Sequence, residues 1–347
     1  MIHRRRRGDG DRESPVAART GTDAGDRAQV RPRPTIGMTD DPERIAGVAD
    51  VDCRGRQALV TGSTSGIGRA AALALGRLGA DVIVHGRDRE AGAAVVEELS
   101  AAGVDGRFVR ADFADPDSVR ELAVTVRRET DGLDVLINNA GGFFRNGEVT
   151  DLGVEYTFHV NHLSPYLLTA ELLDHLRPGA RVVTTASAAH RGSELDLTRV
   201  RTVDGYSATW AYGHSKLANV LFANELAARL DAADRDVTSN SVHPGAIPGS
   251  GFSRFLPGPV SSALGALDGL PFVTSVAEGA AELLVPALKP ETATVSGRYF
   301  ADREPTTASR AARDETAARR LWEVSADLLD VEPPLAATDP DAAEDGG

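Results

Sequence analysis

Short runs of apolar residues alternate along the chain with longer segments in which apolar residues recur at helical spacing. The predicted strands are Ala58–Thr61, Asp81–His85, Arg107–Ala111, Asp134–Ile137, Arg181–Thr185 and Val237–Val242. The predicted helices include Ile67–Leu78, Arg89–Ala101 and Ser118–Glu129. Apolar strands that alternate with helices are typical of a parallel sheet covered on both faces. The pattern therefore predicts an α/β protein with a doubly wound parallel sheet.

Such a Rossmann-type sheet binds its ligands at the carboxyl ends of the strands, and we expect a single domain over residues 46–331. Residues 1–45 contain almost no large apolar residues, so they predict a disordered N-terminal arm. Residues 332–347 are acidic and rich in proline, which predicts a solvated tail. No apolar run is long enough to span a membrane, and Cys53 is the single cysteine. A cytoplasmic location is the expectation.

The net charge of −13 argues against nucleic acid as a partner, because phosphate backbones need basic surfaces. Only two of the 38 basic residues, Lys216 and Lys289, are lysines. A GC-rich gene and adaptation to high salt both account for this bias, and the sequence does not separate them.

A glycine-rich turn lies between the first predicted strand and the first predicted helix. Its sequence is Thr61-Gly62-Ser63-Thr64-Ser65-Gly66-Ile67-Gly68. Gly62 can adopt a positive φ, Gly66 lets the backbone approach a pyrophosphate, and Gly68 lets the helix pack closely on the strand. The helix N-terminus offers free N–H groups to phosphates. We predict nucleotide binding here; a plain turn is the alternative.

The second predicted strand ends in His85-Gly86-Arg87-Asp88. Sheets that bind NAD usually present an acidic residue here to the ribose 2′-hydroxyl, whereas the Arg87 guanidinium can bind a 2′-phosphate. The sequence therefore predicts NADP, with NAD less favoured. In the alternative interpretation, Arg87 only begins the next helix.

Tyr212 and Lys216 are four residues apart on a predicted helix and share one face of it. A free tyrosine titrates at roughly pH 10, and a nearby ammonium group lowers that pKa. Tyr212 is thus predicted to exchange a proton while a hydride moves. A surface pair is the alternative.

With these motifs in place, the chain from about Cys53 to Val331 resembles a classical short-chain dehydrogenase/reductase of the retinol-dehydrogenase-like branch. The other motifs that carry the resemblance are Asp112, Asn138-Asn139-Ala140-Gly141, Asn161-His162-Leu163, Ser187, Pro244-Gly245, Gly297-Arg298-Tyr299-Phe300 and Leu321-Trp322. The resemblance implies an NADP(H)-dependent oxidoreductase that acts on a carbonyl or alcohol carbon.

By this resemblance, Tyr212 is the acid/base, and Lys216 also holds the nicotinamide ribose. Ser187 orients the reacting oxygen, and Asn161 anchors a water of the proton relay. Two alternatives stay open from the residues alone: Ser187 as an ordinary loop serine, and Asn161 as a helix-bend residue near Pro165.

The resemblance also assigns cofactor contacts, with Asp112 at the adenine, Asn138 near the adenosine ribose and Ile247 at the nicotinamide carboxamide. A sheet-end brace is the alternative for Asn138. The full set is Gly62, Ser63, Ser65, Gly66, Ile67, Gly68, Arg87, Asp112, Phe113, Asn138, Ala140, Gly141, Tyr212, Lys216, Pro244, Gly245 and Ile247. Gly249 stands where many members have a threonine that contacts the nicotinamide amide, so that side-chain contact is not predicted for this chain. No metal is expected.

An apolar segment over about residues 246–275 lies where the family keeps a mobile lid, and Phe143 and Phe144 are placed to line the same pocket. These residues favour a lipophilic small molecule, although the lid's own packing also explains them. Family members often pair through helices around Tyr166–Leu176 and Leu217–Leu230, so a homo-oligomer is possible. Two other functions stay open: a catalytically silent NADP(H) sensor or scaffold, and a reductase of enone or ring double bonds.

Overall fold

The computed structural model describes residues 41–245 and 274–335, whose strands build one eight-stranded sheet. The strands are β1 (Gln57–Val60), β2 (Asp81–Gly86), β3 (Gly106–Arg110), β4 (Leu133–Asn138), β5 (Leu176–Thr185), β6 (Val237–Val242), β7 (Tyr299–Ala301) and β8 (Glu304–Thr306). Their order is β3-β2-β1-β4-β5-β6-β7-β8, with β8 antiparallel to β7 and all other pairs parallel. The chain reverses its direction of travel across the sheet between β1 and β4. In such sheets the ligand cleft opens at that point.

Helices cover both faces of the sheet. They are α1 (Pro42–Ile45), α2 (Gly66–Arg77), α3 (Arg89–Ala101), α4 (Pro116–Glu129), α5 (Tyr156–Phe158), α6 (Ser164–Leu172), α7 (Ala208–Ala232), α8 (Val276–Leu288) and α9 (Glu315–Leu329). One core lies under α2, α3 and α8, and the other under α4, α6, α7 and α9. The predicted doubly wound fold is confirmed.

The β7–β8 hairpin is the part of the sheet that the sequence pattern missed. Its strands have three residues each, too short to show an alternating pattern. The turn between them places Asp302 and Arg303 at φ values of 53° and 64°, without a glycine to mark it. A short hairpin of this kind leaves no clear sequence signal.

The described residues make contacts on both sides of the predicted limits of 46 and 331, and the limits themselves stay a prediction. Helix α1 lies within the segment expected to be disordered, and its Glu43 pairs with Arg77 at 2.7 Å. At the other end, the Trp322 indole donates to the Pro334 carbonyl at 3.2 Å, and Arg229 donates to the Leu335 carbonyl at 2.7 Å. The remainder of the arm and of the tail lies outside the described residues.

The two helices expected to pair chains are covered by the chain's own C-terminal helix. Trp322 of α9 packs against Tyr166 of α6 and Phe222 of α7, with ring centroids 5.0 and 5.7 Å away. Pairing through these faces would therefore require α9 to move, and oligomerisation itself stays a prediction. Among residues 41–245 and 274–335, no helix has the length and apolarity needed to cross a bilayer.

Candidate active site

The glycine-rich loop joins β1 to α2 and has the backbone geometry that its sequence predicts. Gly62 and Gly66 have φ values of +66° and +58°, a region in which other residues are strained. At Gly68, a Cβ atom would lie 2.4 Å from both the Gly62 carbonyl oxygen and the Asn139 side-chain nitrogen. At Gly66, a Cβ would meet nothing within 4 Å. The backbone is thus closely packed at Gly68, where no side chain would fit, and faces open space at Gly66.

Helix α2 begins at this loop without a side-chain cap, because its N-cap residue Ser65 makes no capping hydrogen bond. Six other described helices begin with a side chain that accepts backbone N–H groups: Asp88 for α3, Asp115 for α4, Glu155 for α5, Ser207 for α7, Ser275 for α8 and Asp314 for α9. A free N-terminus with open space in front of it fits a pyrophosphate, which accepts hydrogen bonds from backbone N–H groups.

Side chains from the turn after β4 and from the loop itself brace the glycine-rich loop. Asn139 donates to the carbonyls of Thr61 and Gly62 at 2.9 and 3.3 Å. The Ser63 hydroxyl donates to the Val60 carbonyl at 2.6 Å and accepts from the His85 amide at 3.0 Å. Ser63, predicted to contact the cofactor, therefore has its hydroxyl engaged inside the protein. Asn139 and His85 lay within quoted motifs, but no sequence signal identified them as braces.

Arg87 lies just beyond the end of β2 with its guanidinium largely exposed. Its Nη1 is 4.0 Å from the Asp112 carboxylate. Arg110 of β3 donates to the Arg87 carbonyl at 3.2 Å. Asp112 accepts from the Ala114 amide at 3.1 Å. Arg87 and Asp112, both predicted cofactor contacts, are thus brought together at one corner of the sheet.

The turn after β4 approaches the glycine-rich loop from the opposite side. The Ala140 amide donates to the Thr61 hydroxyl at 2.9 Å. Asn138 donates to Thr169 at 2.9 Å, while its buried Oδ1 has no partner among the described residues. Through the hydrogen bond of its side-chain nitrogen to Thr169, Asn138 braces β4 against α6, as in the alternative interpretation.

The other predicted cofactor contacts are spread along this edge of the sheet. Phe113 is buried and stacks on the His85 ring, so its side chain supports the edge from within. Pro244 and Gly245 follow β6, and Gly245 has a φ of +90°. Ile247 and most of the expected lid lie outside the described residues.

Ser187 and Tyr212 meet on the far side of the same cleft. Ser187 follows β5, and its hydroxyl accepts from the Ala189 amide at 3.2 Å. Tyr212 lies in the second turn of α7, and the neighbouring Ser187 side chain acts to lower the pKa of its phenol. Gly213 lets α7 pack closely against the segment that follows Ser187, because a Cβ there would lie 2.5 Å from the Ser193 hydroxyl. The structure therefore brings the two predicted residues together beyond the end of β5.

The pKa of Tyr212 moves in the opposite direction to the prediction. Burial raises it above its usual value, and the Ser187 side chain offsets this only in part. The Lys216 ammonium lies 5.7 Å from the centre of the Tyr212 ring and donates to the Thr185 carbonyl at 2.9 Å. Burial also lowers the pKa of Lys216 to about 8. In the protein alone, the lysine does not overcome the burial of the phenol.

Asn161 is fully buried in the π-helical segment His159–Leu163, which joins α5 to α6. It donates to the Gly142 carbonyl at 2.9 Å and to the Ser215 hydroxyl at 3.0 Å, and it accepts from the Gly142 amide at 2.8 Å. Single π-helical turns occur frequently at functional sites. Asn161 thus lies in a distorted helix, as the bend alternative proposed, and also ties the turn after β4 to α7.

His190 is a contact that the sequence analysis did not assign. Its Nδ1 lies 2.7 Å from the Ser187 carbonyl oxygen, and its Nε2 accepts from the Ser309 amide at 3.1 Å. Because Nε2 is an acceptor, the proton sits on Nδ1 and is donated to Ser187. His190 thus ties the backbone of Ser187 to a segment 119 residues away.

The cleft wall beside the tyrosine is aromatic, since the ring of Phe143 lies 5.7 Å from that of Tyr212. Within residues 41–245 and 274–335, no group of three or more histidine, cysteine or acidic side chains could hold a metal ion.

Comparison with known proteins gives consistent results. The sequence profile of the short chain dehydrogenase family matches residues 56–254. A Streptomyces protein that bears the provisional name daunorubicin C-13 ketoreductase is 40% identical over 274 residues, which cover 78% of this chain and 92% of that protein. Mouse retinol dehydrogenase 14 is 38% identical over 286 residues, which cover 78% of this chain and 85% of the relative.

A similar solved structure is a short chain dehydrogenase from Burkholderia cenocepacia in complex with NADP. It superimposes with a TM-score of 0.58 at 28% identity, covering 76% of this chain and 99% of the other.

Proposed function

Because the chain belongs to the short-chain dehydrogenase family, we propose that it transfers a hydride between NADP(H) and a carbonyl or alcohol carbon of a lipophilic small molecule. The proximity of Ser187 to the phenol of Tyr212, which acts on the pKa of that phenol, carries this proposal. A reacting oxygen needs a proton donor and a second polar group to hold it, and these two hydroxyl groups supply both.

In the reductive direction, bound NADPH would supply the hydride for the carbonyl carbon. Ser187 holds the carbonyl oxygen, and Tyr212 passes its phenolic proton to that oxygen as the alcohol forms. The raised pKa of Tyr212 in the protein alone keeps the phenol protonated and ready to donate at neutral pH. In the oxidative direction the tyrosine must lose its proton first, and the buried Lys216 ammonium is the nearby charge that favours the phenolate.

The NADP assignment rests on Arg87. Its guanidinium is exposed at the end of β2, where it can turn from Asp112 to a 2′-phosphate without uncovering any core residue. The open loop at Gly66 and the uncapped start of α2 fit the pyrophosphate. The Burkholderia relative, crystallised with NADP, supports this assignment.

The substrate class rests on Phe143, whose ring lines the cleft beside Tyr212, and on the apolar composition of the expected lid. Names of relatives that refer to a ketoreductase and a retinol dehydrogenase agree with a lipophilic carbonyl or alcohol. An aromatic wall favours apolar substrates over sugars, because it offers a sugar no hydrogen bonds.

Consumption of NADPH across a panel of apolar aldehydes, ketones and enones tests the proposal. We expect turnover of one or more aldehydes or ketones, with the alcohol as the product. Reduction confined to the carbon–carbon double bond of the enones would favour a double-bond reductase. Tight NADPH binding without turnover of any panel member would favour a sensor or scaffold.

A further inference from the structure

A buried histidine at the end of β2 connects the parts of the sheet that the dinucleotide would bridge. His85 is 3% exposed and follows the apolar residues Val82, Ile83 and Val84 in the same strand. Its Nδ1 accepts from the Gly62 amide at 3.1 Å, and its Nε2 lies 3.3 Å from the Ala111 carbonyl oxygen. One imidazole thus joins the glycine-rich loop after β1 to the segment after β3.

These two contacts define the state of the ring. The nitrogen that accepts from Gly62 carries no proton, so Nε2–H must donate to Ala111. Burial lowers the pKa of His85 to about 4, which keeps the ring neutral near pH 7. In this single tautomer both ring nitrogens make hydrogen bonds, and each bond is made to the backbone of a cofactor-facing segment.

The backbone of His85 adds to the same connection. Its amide donates to the Ser63 hydroxyl at 3.0 Å, and its carbonyl accepts from the Ser63 amide at 2.9 Å. The ring also stacks on Phe113, with centroids 4.6 Å apart and planes 26° apart. The next residue, Gly86, leaves room for Thr64, because a Cβ there would lie 2.5 Å from the Thr64 methyl group. The end of β2 thus supports the loop at several successive points.

A role in core packing does not explain a histidine at this position. An aliphatic residue would suit an apolar strand better, because a buried imidazole gives up its hydration. What the imidazole supplies is an acceptor for the N–H of Gly62, a residue held at positive φ, and a fixed spacing between that loop and Ala111.

We propose that His85 is a positioning residue for the dinucleotide, holding the pyrophosphate loop and the adenine side of the cleft at a fixed separation. The inference rests on the proposed use of NADP(H). It assigns His85 an effect on cofactor affinity and none on proton transfer, because the ring touches neither Ser187 nor the phenol of Tyr212.

Two substitutions separate the hydrogen bonds from the space that the ring fills. His85→Leu fills much of the volume without an acceptor, which leaves the half-buried Gly62 amide without its partner. His85→Asn places an amide oxygen near the position of Nδ1 and restores the acceptor. The matched control is His175→Leu. His175 precedes β5, at the amino-terminal ends of the strands, and its side chain also makes a hydrogen bond, to Thr130.

The readouts are the dissociation constants of NADPH and of 2′,5′-ADP, measured by titration, together with kcat at saturating NADPH. We expect His85→Leu to weaken both ligands by up to about 10-fold, the effect of losing one hydrogen bond to the loop. We expect His85→Asn to stay within about 3-fold of wild type, and kcat to change less than about 2-fold in either variant, because hydride transfer does not involve His85.

Equal binding by wild type and His85→Leu would overturn the proposal. So would equal weakening in His85→Asn and His85→Leu, since that would assign the effect to packing. A wild-type protein that binds neither ligand would refute the proposed cofactor itself, an outcome distinct from the other two.

Discussion

The two sides of the cleft are built differently. On the nucleotide side, the loop after β1, the end of β2 and the turn after β4 are held mainly by backbone geometry and by contacts among neighbouring strand ends, such as Gly62 with His85. On the catalytic side, Ser187 and Tyr212 come from separate elements, and His190 ties Ser187 to Ser309 near the end of the domain. The nucleotide side is thus built from contacts among adjacent strand ends, whereas the catalytic side also depends on a segment that lies beyond the last parallel strand.

This difference predicts that substitutions on the two sides separate cofactor binding from chemistry. Lys216 is the exception, because it belongs to the catalytic helix and is also expected to hold the nicotinamide ribose. We expect Lys216→Met to lower kcat about 100-fold, within the range of general acid/base effects, and to weaken NADPH binding as well. Steady-state kinetics and NADPH titration measure the two losses.

Lys216→Met should not lower the stability of the protein, in contrast to its effect on activity. Burial lowers the pKa of Lys216 from 10.5 to about 8, so between these pH values the unfolded chain binds one more proton than the folded chain. Wild-type stability should therefore gain from this lysine as pH rises through that window, and the variant should lack this gain. At pH 7 the variant should melt no lower than wild type, since Asn219 still donates to the Thr185 carbonyl at 3.0 Å. A markedly lower Tm would make the lysine a structural residue.

Arg87 tests the nucleotide side alone. We expect wild type to prefer NADP over NAD on the order of 10- to 100-fold, and Arg87→Asp to reverse that order. At saturating cofactor, kcat should change little, because Arg87 lies at the adenosine end of the proposed site. Titration of both cofactors checks the preference, and equal affinities in the unmodified protein would remove the role of Arg87.

His190 gives the converse test on the catalytic side. His190→Leu removes the contacts to Ser187 and Ser309, and we expect kcat to fall by up to about 10-fold while the Kd for NADPH stays within about 2-fold of wild type. The pattern should be the reverse of that for His85→Leu. A similar change in affinity from both variants would show that the two sides are not separable.

The sequence predicted these two sides unequally. The roles of Gly62 and Gly68 follow from spacing, because a turn between a strand and a helix permits few conformations. The bracing roles of Asn139 and His85 could not be predicted, because a side chain that hydrogen-bonds to the backbone of a turn leaves no periodic pattern in the sequence. On the catalytic side, the positions of Tyr212 and Lys216 on one helix face could be predicted.

The properties of the catalytic side that the sequence missed depend on three-dimensional burial. The raised pKa of Tyr212 comes from the packing around α7. The contact of His190 with Ser309 spans 119 residues, which no local motif encodes.

The β7–β8 hairpin was missed for a different reason, because its turn lacks a glycine that would mark it.

Single-turnover oxidation of bound NADPH in Tyr212→Phe tests the central claim most directly. The substitution removes one hydroxyl group and keeps the ring, so cofactor binding should stay close to wild type. The rate of hydride transfer to a carbonyl substrate should fall about 10²- to 10⁴-fold, because the hydroxyl proposed to donate the proton is gone. A variant that keeps more than about a tenth of the wild-type rate would show that Tyr212 is not the proton donor.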